Sequence, residues 1–355
     1  LGGTVTHSLI HTLAGLHDAE GELINNGLPA ELTERLMHAS PLTTRRKIGR
    51  TWTLSVEPAI YEQVVEDWLG ELAGLTLLRE ATVSAVTRQG NSVQAVEVMT
   101  GGESATVQPR AVVDASGTAE LVRQFDPGLV EDDRQAAAGL IFTLGGVDTT
   151  LLRFPRGMAL LQAIRQAAGE GRLPVDCGKA WLDLGVRENE AYVKLFLPLA
   201  HGWRAPGALD EAGRHGLAMR DSLVGFLADY EGFESVVLGH TGTLGIREGG
   251  RVRGEYCLTE DDVLAGRRFD DSIGRCCWPI EYWDPEKGVT LQYLPSGVDY
   301  EIPLRTLKVR NTDNIWVAGK CLSAEPRAQA SARVAGTCWA MGEAVGKAAA
   351  NGAGG

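Results

Sequence analysis

Two short apolar runs constrain this chain more than anything else in it. One is "AVVDASG", residues 111–117, and the other is "NIWVAG", residues 314–319. Each is brief, and each ends in small residues. Such a run suits a parallel strand covered on both faces. Parallel neighbours need crossover connections, and these two runs lie far apart in the chain. One domain should therefore be built from both ends of the sequence, with a long insertion between them.

The texture of the chain agrees with that division. Its 355 residues are enough for two domains of ~100–200 residues each. The tract up to residue 25 is loop-like and carries His7, His11 and His17. A helix is expected over "ELTERLMHA", behind Pro29. A second is expected over "SVEPAIYEQVVEDWLGELAG", where Ile60, Val64, Trp68 and Leu72 recur every fourth residue. Residues 75–117 read as four strands, with breaks at Gly90-Asn91, Gly101-Gly102 and Pro109. Further on, "AGLIFTLGGVD" and "AYVKLFLPLA" read as strands, and "GMALLQAIRQAAGEG" and "DEAGRHGLAMRDSLVGFLADYEG" as helices. Thr259 and Asp262 form a capping-box pattern. The last helix is "GTCWAMGEAVGKAAA", on which Gly342 and Gly346 offer a flat face for close packing. The expected division is residues 1–124 and 301–355 as one domain, with residues 125–300 as an inserted mixed α/β domain.

Composition excludes several classes. A net charge of -12 repels nucleic acid and anionic membrane surfaces. No apolar run reaches the ~18 residues of a membrane span, and no signal segment opens the chain. Cysteines stand at 177, 257, 276, 277, 321 and 338. None forms Cys-x-x-Cys, so no metal site and no dithiol motif is expected. The vicinal pair Cys276-Cys277 reads as two reduced thiols, in keeping with a cytoplasmic protein.

Four stretches resemble the FAD-dependent oxidoreductase family of glutathione-reductase-like flavoproteins: "LGGT", "VVDASGTAEL", "LGIREGGRVRGEYCLTEDDVLAGRRFDDSI" and "NIWVAGKCLSAEPRAQASARVAGTCWAMGEAVGKAAA". The last two are long and specific, and the order is right. The resemblance implies an α/β fold: a Rossmann-type FAD-binding domain, made of a parallel sheet plus a β-meander, with an inserted mixed α/β substrate domain.

It also implies roles. Gly2 and Gly3 would approach the dinucleotide, with Thr4 near its phosphates or ribityl chain. Val83 would pair through its backbone with the adenine edge, or be an ordinary strand valine. Ala115, Ser116 and Gly117 would turn past the cofactor. Gly319, Lys320 and Cys321 end the late strand, where related flavoproteins often place an aspartate on the ribityl hydroxyls. Gly336 and Thr337 open the last helix, whose free N–H groups and dipole suit the flavin N1–C2=O end. Arg333 matches a family arginine, for which a plain salt bridge is the other reading. Arg247, with Glu325 and Arg327, would shape the substrate site; Arg247 and Arg251 would equally serve to brace the domain interface.

The chain departs from the pattern at Thr118, where an acidic residue is usual, and at Pro326, where a histidine is usual. His7 or His11 would then supply the general base. The two lie four apart and share a face if the backbone is helical.

The implied reaction moves a hydride from a small organic substrate to flavin N5, while a base takes the adjoining proton and a second acceptor reoxidises the flavin. The alternatives are a non-catalytic or electron-relay subunit of a larger flavoprotein complex, and a flavin monooxygenase. The family's Gly-x-Gly-x-x-Gly unit has no counterpart here. Gly239, Gly242 and Gly245 come nearest, but with the wrong spacing. The expectation is that a companion polypeptide or N-terminal fragment supplies that unit, in an oligomeric assembly.

Overall fold

The computed structural model describes residues 1–132, 136–199, 201–284 and 287–352. Along the first part run α1 (Gly3–Thr6), β1 (Thr12–Leu13), α2 (Leu28–Ala39), β2 (Thr44–Ile48), β3 (Thr51–Ser55) and α3 (Pro58–Gly70). The meander β4 (Thr82–Gln89), β5 (Ser92–Thr100) and β6 (Glu103–Val107) follows, then β7 (Val112–Asp114) and α4 (Glu120–Phe125). The middle holds β8 (Val130–Glu131), β9 (Ala136–Gly145), α5 (Arg156–Gly169), β10 (Trp181–Leu184), β11 (Ala191–Leu199), α6 (Ala208–Ala228), β12 (Val237–Thr241) and β13 (Gly245–Ile246). The chain ends with β14 (Arg251–Val252), α7 (Glu260–Leu264), β15 (Ser272–Cys276), β16 (Ile280–Asp284), β17 (Gly288–Gln292), β18 (Tyr300–Pro303), β19 (Ile315–Val317), α8 (Pro326–Ala332) and α9 (Ala335–Gly352).

The two constraining runs do meet. β7 and β19 pair in parallel, with Ile315 opposite Val112 and Val317 opposite Asp114. Their core joins Val122 and Phe125 to Ile315, Val317, Met341 and Val345. It also takes in Val252, Val263, Cys276, Ile280, Tyr300 and Ile302. Residues 252–300, which by texture belonged to the insertion, therefore pack into the first core. The second core draws on residues 138–233. There β10, β11, β9 and β12 form an antiparallel sheet, with β13 also on β9, and α5 and α6 supply Leu160, Ile164, Met219 and Leu223 beneath it.

Most expected elements form, and the capping box at Thr259 and Asp262 is complete. Three expectations need correction. The first of the four strands begins only at Thr82; Leu75, Leu77 and Leu78 before it stay exposed, because no neighbouring strand offers them a ladder. Gly342 and Gly346 have nothing within 4 Å of an added Cβ, so that ridge of α9 packs against none of the described residues. The β2–β3 hairpin was not foreseen. Its strand "TRRKI" is rich in charge and only half-buried, so it carries little hydrophobic period. No helix among the described residues is long and apolar enough to cross a membrane, and those residues hold no cluster suited to a metal ion.

Candidate functional site

In open α/β sheets ligands gather beyond the carboxyl ends of the parallel strands. Here those ends are the turns after β7 and β19. Asp114 closes the first turn. Its Oδ1 accepts the Ser116 N–H at 2.9 Å, and its Oδ2 accepts those of Leu121 and Val122 at 2.9 and 3.1 Å. Ser116 Oγ accepts the Glu120 N–H at 3.0 Å. The Ser116 side chain is thus occupied in capping α4, and Ala115 beside it is exposed. Gly117 and Gly319 both take positive φ, 78° and 79°. A Cβ at Gly117 would meet only Lys320 Cε at 3.5 Å, and one at Gly319 only Cys338 Sγ at 3.8 Å. Both turns therefore present bare backbone to open space.

Lys320 reaches across from the second turn to the first. Its Nζ is buried and has no hydrogen-bond partner among the described residues. Burial pulls its pKa down to about 8, helped by the Arg333 charge and opposed by Cys321, Glu248 and Asp132. Cys321 lies deeper. Its Sγ accepts the Ala119 N–H at 3.3 Å, and burial pushes the thiol up to about 12. It braces the Gly117 turn from inside the core and does not face the open side, contrary to the role expected for it.

Behind Lys320 lies a buried ionic network. Arg247 Nη2 donates to Glu281 Oε1 at 2.8 Å, and its Nε lies 3.6 Å from Glu248 Oε1. Arg333 Nη2 lies 3.6 Å from Glu248 Oε1. Burial pushes Glu281 up, but the Arg247 and Arg333 charges outweigh it and hold it below the usual carboxylate range. Burial and the Arg247 charge lower Arg333. Arg247 thus ties β13 to β16, the two cores to one another, and is spent in that tie; it is not placed as a substrate clamp. Glu325 and Arg327 also pair within the protein. Glu325 Oε2 accepts the Glu260 N–H at 2.8 Å, at the start of α7. Arg327 Nε donates to Glu260 Oε1 at 2.8 Å, and its Nη2 to Gln292 Oε1.

The start of α9 is equally close-fitted. The Gly336 N–H donates to Ala14 O at 2.9 Å. A Cβ there would lie 2.3 Å from Gly15 O, so this glycine serves the seating of the Ala14–Gly15 backbone, and its N–H is no longer free as the sequence implied. Thr337 Oγ1 is buried and unpartnered.

The amino-terminal residues divide. A Cβ on Gly2 would lie 2.4 Å from Tyr61 Cε1, so the vacancy at Gly2 is filled by Tyr61. Gly3 and Thr4 are exposed, and a Cβ on Gly3 would meet only His7 Nδ1, at 3.8 Å. His7 is exposed, whereas His11 is 0% exposed. His11 stacks on Tyr192 at 3.7 Å, its Nε2 lies 3.0 Å from Leu184 O, and burial, reinforced by the Lys194 charge, lowers its pKa to about 3. A sealed imidazole has no route to a substrate, so the general-base expectation for His11 is withdrawn. Val83 O already accepts from Gln124 Nε2 at 3.0 Å, which leaves that carbonyl committed.

The family model described as FAD dependent oxidoreductase matches residues 1–353. The chain belongs to that family. This FAD-dependent oxidoreductase has no match among curated proteins. Among solved structures it is similar to a geranylgeranyl bacteriochlorophyll reductase-like protein from Thermoplasma acidophilum, at 10% identity and a TM-score of 0.42, over 86% of this chain and 58% of that one. It is similar to a flavin-dependent brominase at 12% identity and 0.39, over 86% and 58%. An anhydrotetracycline hydroxylase from Streptomyces rimosus stands at 13% and 0.38, over 71% and 47%. The chain thus spans about half to three-fifths of those structures' length.

The residues of the oxidoreductase fit FAD at the β7 and β19 turns. A buried ammonium with no anion beside it, two glycines bare on one side and an unpartnered Thr337 hydroxyl are what an anionic, hydrogen-bonding cofactor requires. Gly117, Gly319, Lys320 and Thr337 are the residues that would hold it, with Arg333 adding charge from behind. Asp114, Glu248 and Glu281 escaped notice in the sequence. Asp114 stood inside the quoted "VVDASG", and its regular place ahead of a glycine turn was the available signal. Nothing in the local pattern marks Glu281 as the partner of Arg247.

Proposed function

We propose that this FAD-dependent oxidoreductase is a dehydrogenase or oxidase of a small organic substrate, its cofactor domain following the glutathione-reductase-like plan. The observation that carries the reading is the unpartnered Lys320 ammonium between the bare turns at Gly117 and Gly319. When bound, FAD supplies a two-electron acceptor. The chain's own residues bind and orient. Lys320 meets negative charge, the α9 N-terminus favours it through the helix dipole, and the Arg247–Glu281–Arg333–Glu248 network fixes the second core against the first. His7 is the proton acceptor of this proposal: exposed, one turn beyond Gly3, with its Nδ1 beside that glycine's bare face.

The same reading includes a further strand, from a companion polypeptide or another segment of the protein. Val112 donates to Asn314 O and Asp114 O accepts from Ala318, so both turn their backbone groups toward β19. Val113, between them, turns its groups to the opposite edge, where no strand pairs among the described residues. Val113, Leu72, Leu75, Leu77 and Leu78 are all exposed, an apolar surface that such a unit would cover.

The test is direct. Denatured native protein should release FAD, and the bound flavin should bleach anaerobically on addition of an oxidisable substrate. Protein that is colourless and takes up no added FAD overturns the proposal.

A further inference from the structure

His17 was one of three histidines in the opening tract and has found no use so far. It lines a cleft of about 200 Å³ between the β2–β3 hairpin and residues 293–299, with Arg50, Cys277, Trp278, Tyr293 and Leu294 among its other walls. His17 is only 4% exposed, and its Nδ1 has no hydrogen-bond partner among the described residues. Burial, then the Arg45 charge, lowers its pKa, so it presents a neutral imidazole.

The charges around the cleft are unequally committed. Asp299 is paired with Arg268 and Arg275. Asp18 Oδ1 accepts two backbone N–H groups, from Glu20 and Glu22. Arg45 donates to the Gly21 carbonyl at 2.6 Å, Lys47 sits over the Trp52 ring and Arg50 over the Tyr293 ring. None of these three cations has an ion pair among the described residues. On a chain of net charge -12, a hairpin carrying three unmatched cations marks a place for an anion. The Cys277 thiol donates to His17 O at 3.3 Å and is pushed up to about 12 by burial, so it serves as wall and not as nucleophile.

We infer that this cleft binds a small planar carboxylate. Arg50 meets the carboxylate, Trp278 and Tyr293 flank the ring or conjugated body, and the unmet nitrogen of His17 takes a further polar group. Size sets the scale: a cavity of ~150 Å³ holds benzene, so this one holds a single substituted ring. Gly15, two residues before His17, is seated on the first turn of α9, where an added Cβ would lie 3.2 Å from Thr337 Oγ1. The cleft is therefore within about 10 Å of that helix start along the backbone. If the oxidoreductase reading above holds, this is the substrate's site.

The test is calorimetric titration of the FAD-loaded protein with benzoate, benzamide and benzylamine, repeated on Arg50→Gln. Arg50 is exposed, so this change leaves the fold intact. Benzoate should bind saturably, benzamide and benzylamine at least tenfold more weakly, and Arg50→Gln should weaken benzoate at least tenfold. Benzylamine binding as well as benzoate, no benzoate binding, or unchanged affinity in Arg50→Gln each overturns the assignment. Flavin content is measured on the same preparations. FAD present without benzoate binding removes the cleft and leaves the oxidoreductase reading standing; benzoate binding by protein unable to hold FAD does the reverse.

Discussion

Lys320 offers the sharpest test, because one substitution should move two quantities in opposite senses. Its pKa falls from the ordinary 10.5 to about 8 in the flavin-free fold. At about 1.4 kcal/mol per pH unit, that corresponds to roughly 3 kcal/mol by which the buried ammonium opposes folding. Between pH 8 and pH 10.5 the unfolded chain binds a proton that the folded chain has released, so stability from this group rises with pH across that window. Below about pH 8 the full cost is present. Lys320→Met keeps the apolar stem and removes the charge. Urea melts of flavin-free protein near pH 7 should show the variant up to about 3 kcal/mol more stable. The gap should shrink toward zero by about pH 10. FAD affinity, followed by flavin fluorescence, should fall roughly 10- to 100-fold, the worth of one charge-assisted hydrogen bond at ~1.5–3 kcal/mol. A variant that is less stable without flavin, or that binds FAD as tightly as the parent, would falsify the placement of Lys320 against the cofactor.

His7→Gln should slow flavin reduction by substrate ~10²–10⁴-fold with FAD content unchanged; rates within about twofold of the parent remove His7 from the reaction. Two glycines of α9 should respond oppositely to alanine. Gly336→Ala drives a Cβ against Gly15 O and should cost about 1–3 kcal/mol or more in thermal or urea melts. Gly342→Ala, in open space, should add about 0.5–1 kcal/mol; a loss there would mean the ridge is packed after all. Asp114→Ala strips three N–H groups of their acceptor and should cost about 3 kcal/mol or more, with flavin lost in step. Retained stability and flavin binding would show that the turn holds itself.

The sequence by itself determined the parallel pair, the meander, the long helices and the capped start of α7, because each rests on a local pattern: a short buried run, a period of two or of 3.6, a turn residue, a cap. It also determined the family, through two long and specific stretches, and it marked Gly117, Gly319 and Lys320, which the fold then brings together. What it left open depended on who sits beside whom. Gly2 and Gly336 look like ligand-contact glycines in sequence, but the first makes room for Tyr61 and the second for the Gly15 backbone. His7 and His11 are alike on paper. Burial against Tyr192 makes one a sealed core residue, and the other remains in solvent. Arg247 reads as a clamp until Glu281, thirty-four residues away, claims it at 2.8 Å. Burial, pairing and spare space are properties of neighbours distant in the chain, and only tertiary packing decides them.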